Sequence, residues 1–241
     1  MTNEPDNMKR RDFMRRSLLT IPAVSIGSSV AFNAYADSGV PALSDYQPMF
    51  FEDSQWQFIL AATDRLIPRD EHGPGALEAH VPVFIDKELA GSYGRADDWY
   101  MEGPFHVDAD EALGYQLPHT PADIYRLGIR ATNDYCRQRF DRDFTALSRD
   151  DQETVLRALE KGTPDFARLG VQDLPSKTFF SFLLQNTKEG FLADPIYGGN
   201  RHMVGWKLLG FTGARASFRE WVDQYDRDYP LGPVSLSGER G

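Results

Sequence analysis

From residue 53 onward, apolar side chains recur every three or four positions, the spacing of an α-helix with one buried face. Asp53 or Ser54 can cap the first such stretch. Trp56, Ile59, Leu60, Thr63, Leu66 and Ile67 then form a stripe that Pro68 stops. Val81, Phe84, Ile85 and Leu89 make a shorter stripe ending at Gly91. Thr120-Pro121-Ala122-Asp123 is a capping box with Pro at the first helical position, and it introduces Ile124, Leu127, Gly128, Ala131 and Tyr135. Ser148 and Asp151 repeat that logic ahead of Val155, Leu156 and Leu159, with Gly162 as the stop. The segment from Thr178 to Lys188 carries Phe179, Phe180 and Phe182 and reads as a helix buried on most sides. A last stripe, Ala214, Phe218, Trp221, Val222 and Tyr225, leads into a Pro-Gly tail.

No stretch alternates apolar and polar residues at period two long enough to build a sheet. The pattern predicts an all-α fold, a single helical domain of about six helices over 52–241, with an extended lead-in over 37–51. Two connections, Gly91 to Thr120 and Gly190 to Gly213, are too long for ordinary turns and are rich in aromatics. Such loops are ordered, and either pack on their own domain or lie against another protein, where aromatic anchors carry much of the binding energy.

The first 36 residues break the pattern. Lys9, the pair Arg10-Arg11, Phe13 and the pair Arg15-Arg16 form a cationic block before a mildly apolar run diluted by Ser and Gly. Ala34-Tyr35-Ala36, followed by Asp37, supplies a small-x-small cleavage site. The run is too short and polar to span a bilayer, which needs about 20 predominantly apolar residues. The order of features predicts a twin-arginine (Tat) signal peptide over 1–36, hence export to the periplasm in the folded state.

Charge narrows the function. The chain has a net charge of −10, and without residues 1–36 it keeps 21 basic and 33 acidic side chains, a net −12. That balance opposes nucleic-acid binding and anionic headgroups alike, so membrane association is expected through a partner.

Catalytic motifs are missing from the sequence. One cysteine, Cys136, permits no internal disulfide, no CxxC pair and no CxxCH haem attachment, and reads as a structural thiol despite its neighbours Arg137 and Arg139. The five histidines, His72, His80, His106, His119 and His202, form no HxxxH or HExxH pattern. No GxSxG elbow or dinucleotide fingerprint is present, and Gly73-Pro74-Gly75 reads as a turn. If the chain were an enzyme by itself, His202 with Asp194 would be the candidate pair.

The stretch Asn186 to Lys207, with Gly190-Phe191-Leu192-Ala193-Asp194-Pro195-Ile196-Tyr197-Gly198-Gly199-Asn200-Arg201-His202-Met203-Val204-Gly205-Trp206-Lys207 at its centre, resembles the signature of the gluconate 2-dehydrogenase subunit 3 family. Ala62-Thr63-Asp64-Arg65-Leu66-Ile67-Pro68, Gly73-Pro74-Gly75-Ala76, Gly103-Pro104-Phe105, Gly114-Tyr115-Gln116 and Pro233-Val234-Ser235-Leu236 fit it too. His202 and Thr212 depart from it, standing where the family pattern has Asp and Pro. The resemblance implies a small subunit without cofactor in a dehydrogenase complex. Its partners would be a GMC-type FAD-containing large subunit acting on a sugar, sugar acid or polyol, and a multihaem cytochrome c subunit. The small subunit would support Tat export and stability of the flavoprotein; a transient assembly factor is the alternative role. Within the signature, Asp194-Pro195 and Gly198-Gly199 favour a tightly turned loop, from which Tyr197, Asn200, Arg201, Trp206 and Lys207 are expected to project as partner contacts. The competing expectation is a self-contained structural knot with Arg201 paired to a local carboxylate.

Overall fold

The computed structural model describes residues 42–241 apart from 108 and 228. The Tat and cleavage residues Arg10, Arg11, Phe13, Ala34, Ala36 and Asp37 lie outside the described residues. Seven α-helices are formed among the described residues: α1 (Asp53–Leu66), α2 (Val81–Ala90), α3 (Ser92–Arg95), α4 (Pro121–Phe140), α5 (Arg149–Glu160), α6 (Ser176–Leu192) and α7 (Val204–Leu209). No strand is present among the described residues, only isolated bridges.

The helix starts follow local chemistry. Thr120 Oγ1 accepts from Asp123 N–H while the Asp123 carboxylate accepts from Thr120 N–H, so two otherwise orphaned donors at the start of α4 are satisfied. Ser148 Oγ accepts from Asp151 N–H at the start of α5. In α1 the cap falls one residue earlier than expected, on Glu52, whose N–H donates to Gln55 Oε1.

Helix α6 runs through the middle, packed by α2, α4 and α5, with α1 closing the far side. Phe179 and Leu183 of α6 are fully buried with Phe58 and Ile59 (α1), Ile85 (α2), Tyr125 and Ile124 (α4) and Leu156 and Leu159 (α5). Each such side chain contributes roughly 1.5–3 kcal/mol by leaving water. Phe58, Phe144, Tyr125 and Phe166 ring Phe179 or one another at centroid distances of 4.6–6.4 Å.

The described part of the lead-in, 42–51, belongs to the same compact unit as the helices. Asp86 of α2, 0% exposed, holds it: its carboxylate accepts from Tyr46 Oη, Met49 N, Phe50 N and Phe51 N at 2.7–3.1 Å. A buried carboxylate costs several kcal/mol in desolvation, and four donors offset it.

Of the two long connections, the first packs on its own body through Tyr93, Trp99 and Tyr115, which stack in series and reach Phe182 of α6. The second is largely helical, since α6 persists to Leu192 and α7 follows at Val204. The last apolar stripe is corrected by the structure: only a three-residue 3-10 turn, Arg219–Trp221, forms there. Its face meets no core, leaving Val222 63% and Tyr225 80% exposed, and an isolated helix of about a dozen residues is marginal in water.

Candidate subunit-docking surface

The signature block turns back on the end of α6 and packs beside α2. Left-handed backbone recurs at Gly198, Asn200, His202 and Met203, which coils the chain tightly between the 3-10 turns Pro195–Tyr197 and Arg201–Met203. Asn200 is the hub. It is 0% exposed; its Nδ2 donates to Ala193 O at 2.8 Å and its Oδ1 accepts from Gly205 N–H at 2.8 Å. The coil leaves no room for side chains at two glycines. A Cβ on Gly205 would sit 2.0 Å from Phe191 O, and one on Gly199 would sit 2.2 Å from Gly190 O. Trp206 is buried, with Nε1 donating to Leu192 O at 2.6 Å and its ring edge-on to Phe211 at 5.1 Å.

Arg201 is tied to the residues just ahead of α2. Its N–H donates to Ala79 O at 3.1 Å, and Nη1 lies 2.9 Å from His80 Nε2. Because guanidinium only donates, that imidazole nitrogen accepts. His80 is itself buried in left-handed conformation at the start of α2. Lys207, on the outer side of α7, has its pKa lowered by partial burial, opposed by the nearby charge of Glu239.

Of the five residues expected to project, Tyr197 and Lys207 are exposed and Arg201 is half-buried. Asn200 and Trp206 face inward, which corrects the expectation for both. Their polar atoms satisfy backbone groups of the coil, so the block's geometry rests on them. The knot reading fits these two residues, and Arg201 meets the His80 ring.

Asp194 and His202 are engaged in separate contacts. Asp194 Oδ1 accepts from Ile196 N–H at 3.1 Å and Oδ2 from Leu236 N–H at 2.7 Å, which fastens the C-terminal segment to the block. His202 Nδ1 lies 4.0 Å from Glu239 Oε1. Among the described residues, no three His, Cys, Asp or Glu side chains gather as a metal-binding group. Cys136 is buried in α4, and burial, aided by the charge of Asp143, pushes its thiol up to about 12.

What the block presents outward is apolar. Of the fifteen large hydrophobic side chains exposed among the described residues, eleven fall from Leu192 onward, so the distribution is not that of scattered surface apolars. The backbone amides of Ile196 and Leu236 share the Asp194 carboxylate, and Phe211 covers Trp206. Leu208 and Leu209 of α7 are exposed as well.

The family model for gluconate 2-dehydrogenase subunit 3 matches residues 53–213. The chain belongs to that family. Neither the curated proteins nor the solved structures contain a match. The subunit 3 match takes in all seven α-helices and the whole coil around Asn200, and it stops at Gly213. Residues 214–241 lie beyond it. They return to the family body through Val234, whose O accepts from Ala214 N–H and whose N–H donates to Thr212 O.

Sequence reading missed Ile196, Phe211 and Leu236 as surface, because exposure is decided by the returning tail and not by local pattern. It missed Asp86 although a signal was there: a lone carboxylate within the apolar run Val81 to Ile85 and Leu89.

Proposed function

We propose that this chain is a non-catalytic small subunit of a periplasmic, membrane-associated dehydrogenase complex acting on CH-OH groups. Its partners in this reading are a GMC-type large subunit that carries FAD and a multihaem cytochrome c subunit that carries haem c. The chain contributes a docking surface that stabilises the flavoprotein and accompanies it through the Tat translocon. Membrane attachment comes through the partners; among the described residues no helix is long and apolar enough to cross a bilayer.

The observation that carries the reading is the set of exposed apolar side chains on the family's own coil, Ile196, Tyr197 and Phe211, with Leu236 of the returning tail held to it by the Asp194 carboxylate. Interface cores are apolar and aromatic with a polar rim, and the same block carries the basic residues Arg201 and Lys207. The test is co-expression with the large subunit. Ile196→Asp with Leu236→Asp is expected to abolish co-purification while far-UV circular dichroism stays unchanged, since both side chains are exposed. An undiminished complex from the double variant contradicts this surface. Deleting the chain is expected to leave flavoprotein activity in the cytoplasm or lost to degradation; full periplasmic activity without it contradicts the export role.

A further inference from the structure

Residues 215–232 form a loop closed at its base. Ala214 N–H donates to Val234 O, and the Arg215 guanidinium donates to Gly232 O. Inside the loop the sequence is written for a helix that the structure does not complete. Ser217 and Glu220 have the spacing of a capping box, and Ser217 Oγ already accepts from Arg219 N–H at 3.2 Å. Phe218, Trp221, Val222, Tyr225 and Tyr229 share one helical face, and no Gly or Pro interrupts 214–229. Asp223 and Arg227 fall four apart in the favourable order.

The loop instead makes two successive three-residue turns, Trp221 N–H to Phe218 O and Gln224 N–H to Trp221 O, before Asp226 takes a left-handed φ of 53°. None of the five apolar residues joins or packs against the buried core. Among the rings of the described residues, Phe218 and Trp221 each meet Tyr229, at 5.5 and 5.3 Å, and the Arg215 guanidinium lies over that same ring. A helix nucleus is therefore present, and what is missing is a surface to bury its face.

We propose that residues 218–228 complete an amphipathic helix when they dock into an apolar groove bordered by basic side chains on the large subunit. This rests on the complex described under Proposed function. Charge selects the occupant. Between 218 and 229 the polar positions hold Arg219 and Arg227 against Glu220, Asp223, Asp226 and Asp228, a net of −2. Helices that lie on membranes carry Lys and Arg on that face, so an anionic bilayer repels this one and a basic-rimmed protein groove accepts it. Geometry permits the transition. Eleven residues rise about 16 Å as a helix. The seven connecting residues, 215–217 and 229–232, reach at most about 24 Å extended, so both base contacts survive. The device lies outside the matched family body, which ends at Gly213.

The test is hydrogen exchange on the full chain, free and in the complex co-purified with the large subunit, together with binding of Val222→Pro and Tyr225→Ala. Expected are at least tenfold slower exchange at amides 222–228 in the complex and a tenfold or greater loss of affinity for both variants. The melting temperature of the free variants should not change, because both side chains are exposed. Asp223→Lys with Asp226→Lys should weaken binding about tenfold, and the loss should shrink at high salt. A complex that forms with no slowing there and binds Val222→Pro like wild type overturns the inference and leaves the docking role standing. Failure of the intact chain to form any complex overturns both. Helix formation on vesicles of phosphatidylcholine and phosphatidylglycerol, or in a dimer of this chain alone, without any in the complex, overturns it in favour of those surfaces.

Discussion

Replacing Asn200 asks directly whether the signature coil is held from within. Asn200→Ala removes the donor to Ala193 O and the acceptor for Gly205 N–H, both at 2.8 Å, in a site with no exposure. Each buried backbone group left unpaired costs about 1–3 kcal/mol. Alanine in the left-handed conformation that Asn200 occupies adds about 1 kcal/mol, since Asn tolerates it better. The expected loss is about 3–7 kcal/mol, which for a domain of this size lowers the melting temperature by roughly 6–28 °C. Asn200→Gly loses the same hydrogen bonds without the backbone penalty, so it should be about 1 kcal/mol less damaging than Ala. Urea titration of the three proteins by tryptophan fluorescence and circular dichroism gives both differences. Wild-type stability in Asn200→Ala, within about 0.5 kcal/mol, would refute the idea that this side chain organises the coil.

Asp86→Ala should cost about 3–5 kcal/mol, the range for breaking a buried charged network, and should release amides 49–51 to fast exchange; unchanged protection there would mean the lead-in is held otherwise. Cys136 should resist a disulfide reagent in the native state and react only on unfolding, because its thiol is buried and pushed up to about 12; rapid native labelling would contradict this placement. Glu88 is raised by burial first and then by the charge of Glu189. The folded state thus favours its protonated form, and stability is lost as pH rises from the unfolded value through the folded one. Glu88→Gln should therefore be more stable than wild type near neutral pH and about equal at low pH, as judged by urea midpoints; a destabilised variant at neutral pH would contradict the repulsion.

Elements specified by neighbouring residues were legible in the sequence. The Thr120-Asp123 box and the Ser148 cap set the starts of α4 and α5 where local pattern places them. Helical periodicity alone misled at 218–225, because periodicity records a face that wants burial without saying what buries it. The aromatics of 93–115 found their partner in Phe182 of the same chain, whereas those of 218–229 meet one another and the Arg215 guanidinium. At the coil, the residue types were informative and their directions were not. Asn200 and Trp206 point inward because Gly199 and Gly205 let the chain press onto the end of α6, a tertiary fact no local spacing encodes. Ile196 and Leu236, forty residues apart, become neighbours through one carboxylate.

The central claim is that this chain supplies surface to a dehydrogenase and no reactive groups. Dye-linked oxidation of gluconate and of a panel of sugars and polyols should be measured for the isolated chain, for the large subunit, and for the two together. The account predicts no turnover by the chain alone and greater stability of the flavoprotein's activity when the chain is present. Turnover by the isolated chain, with no other subunit in the assay, would contradict it.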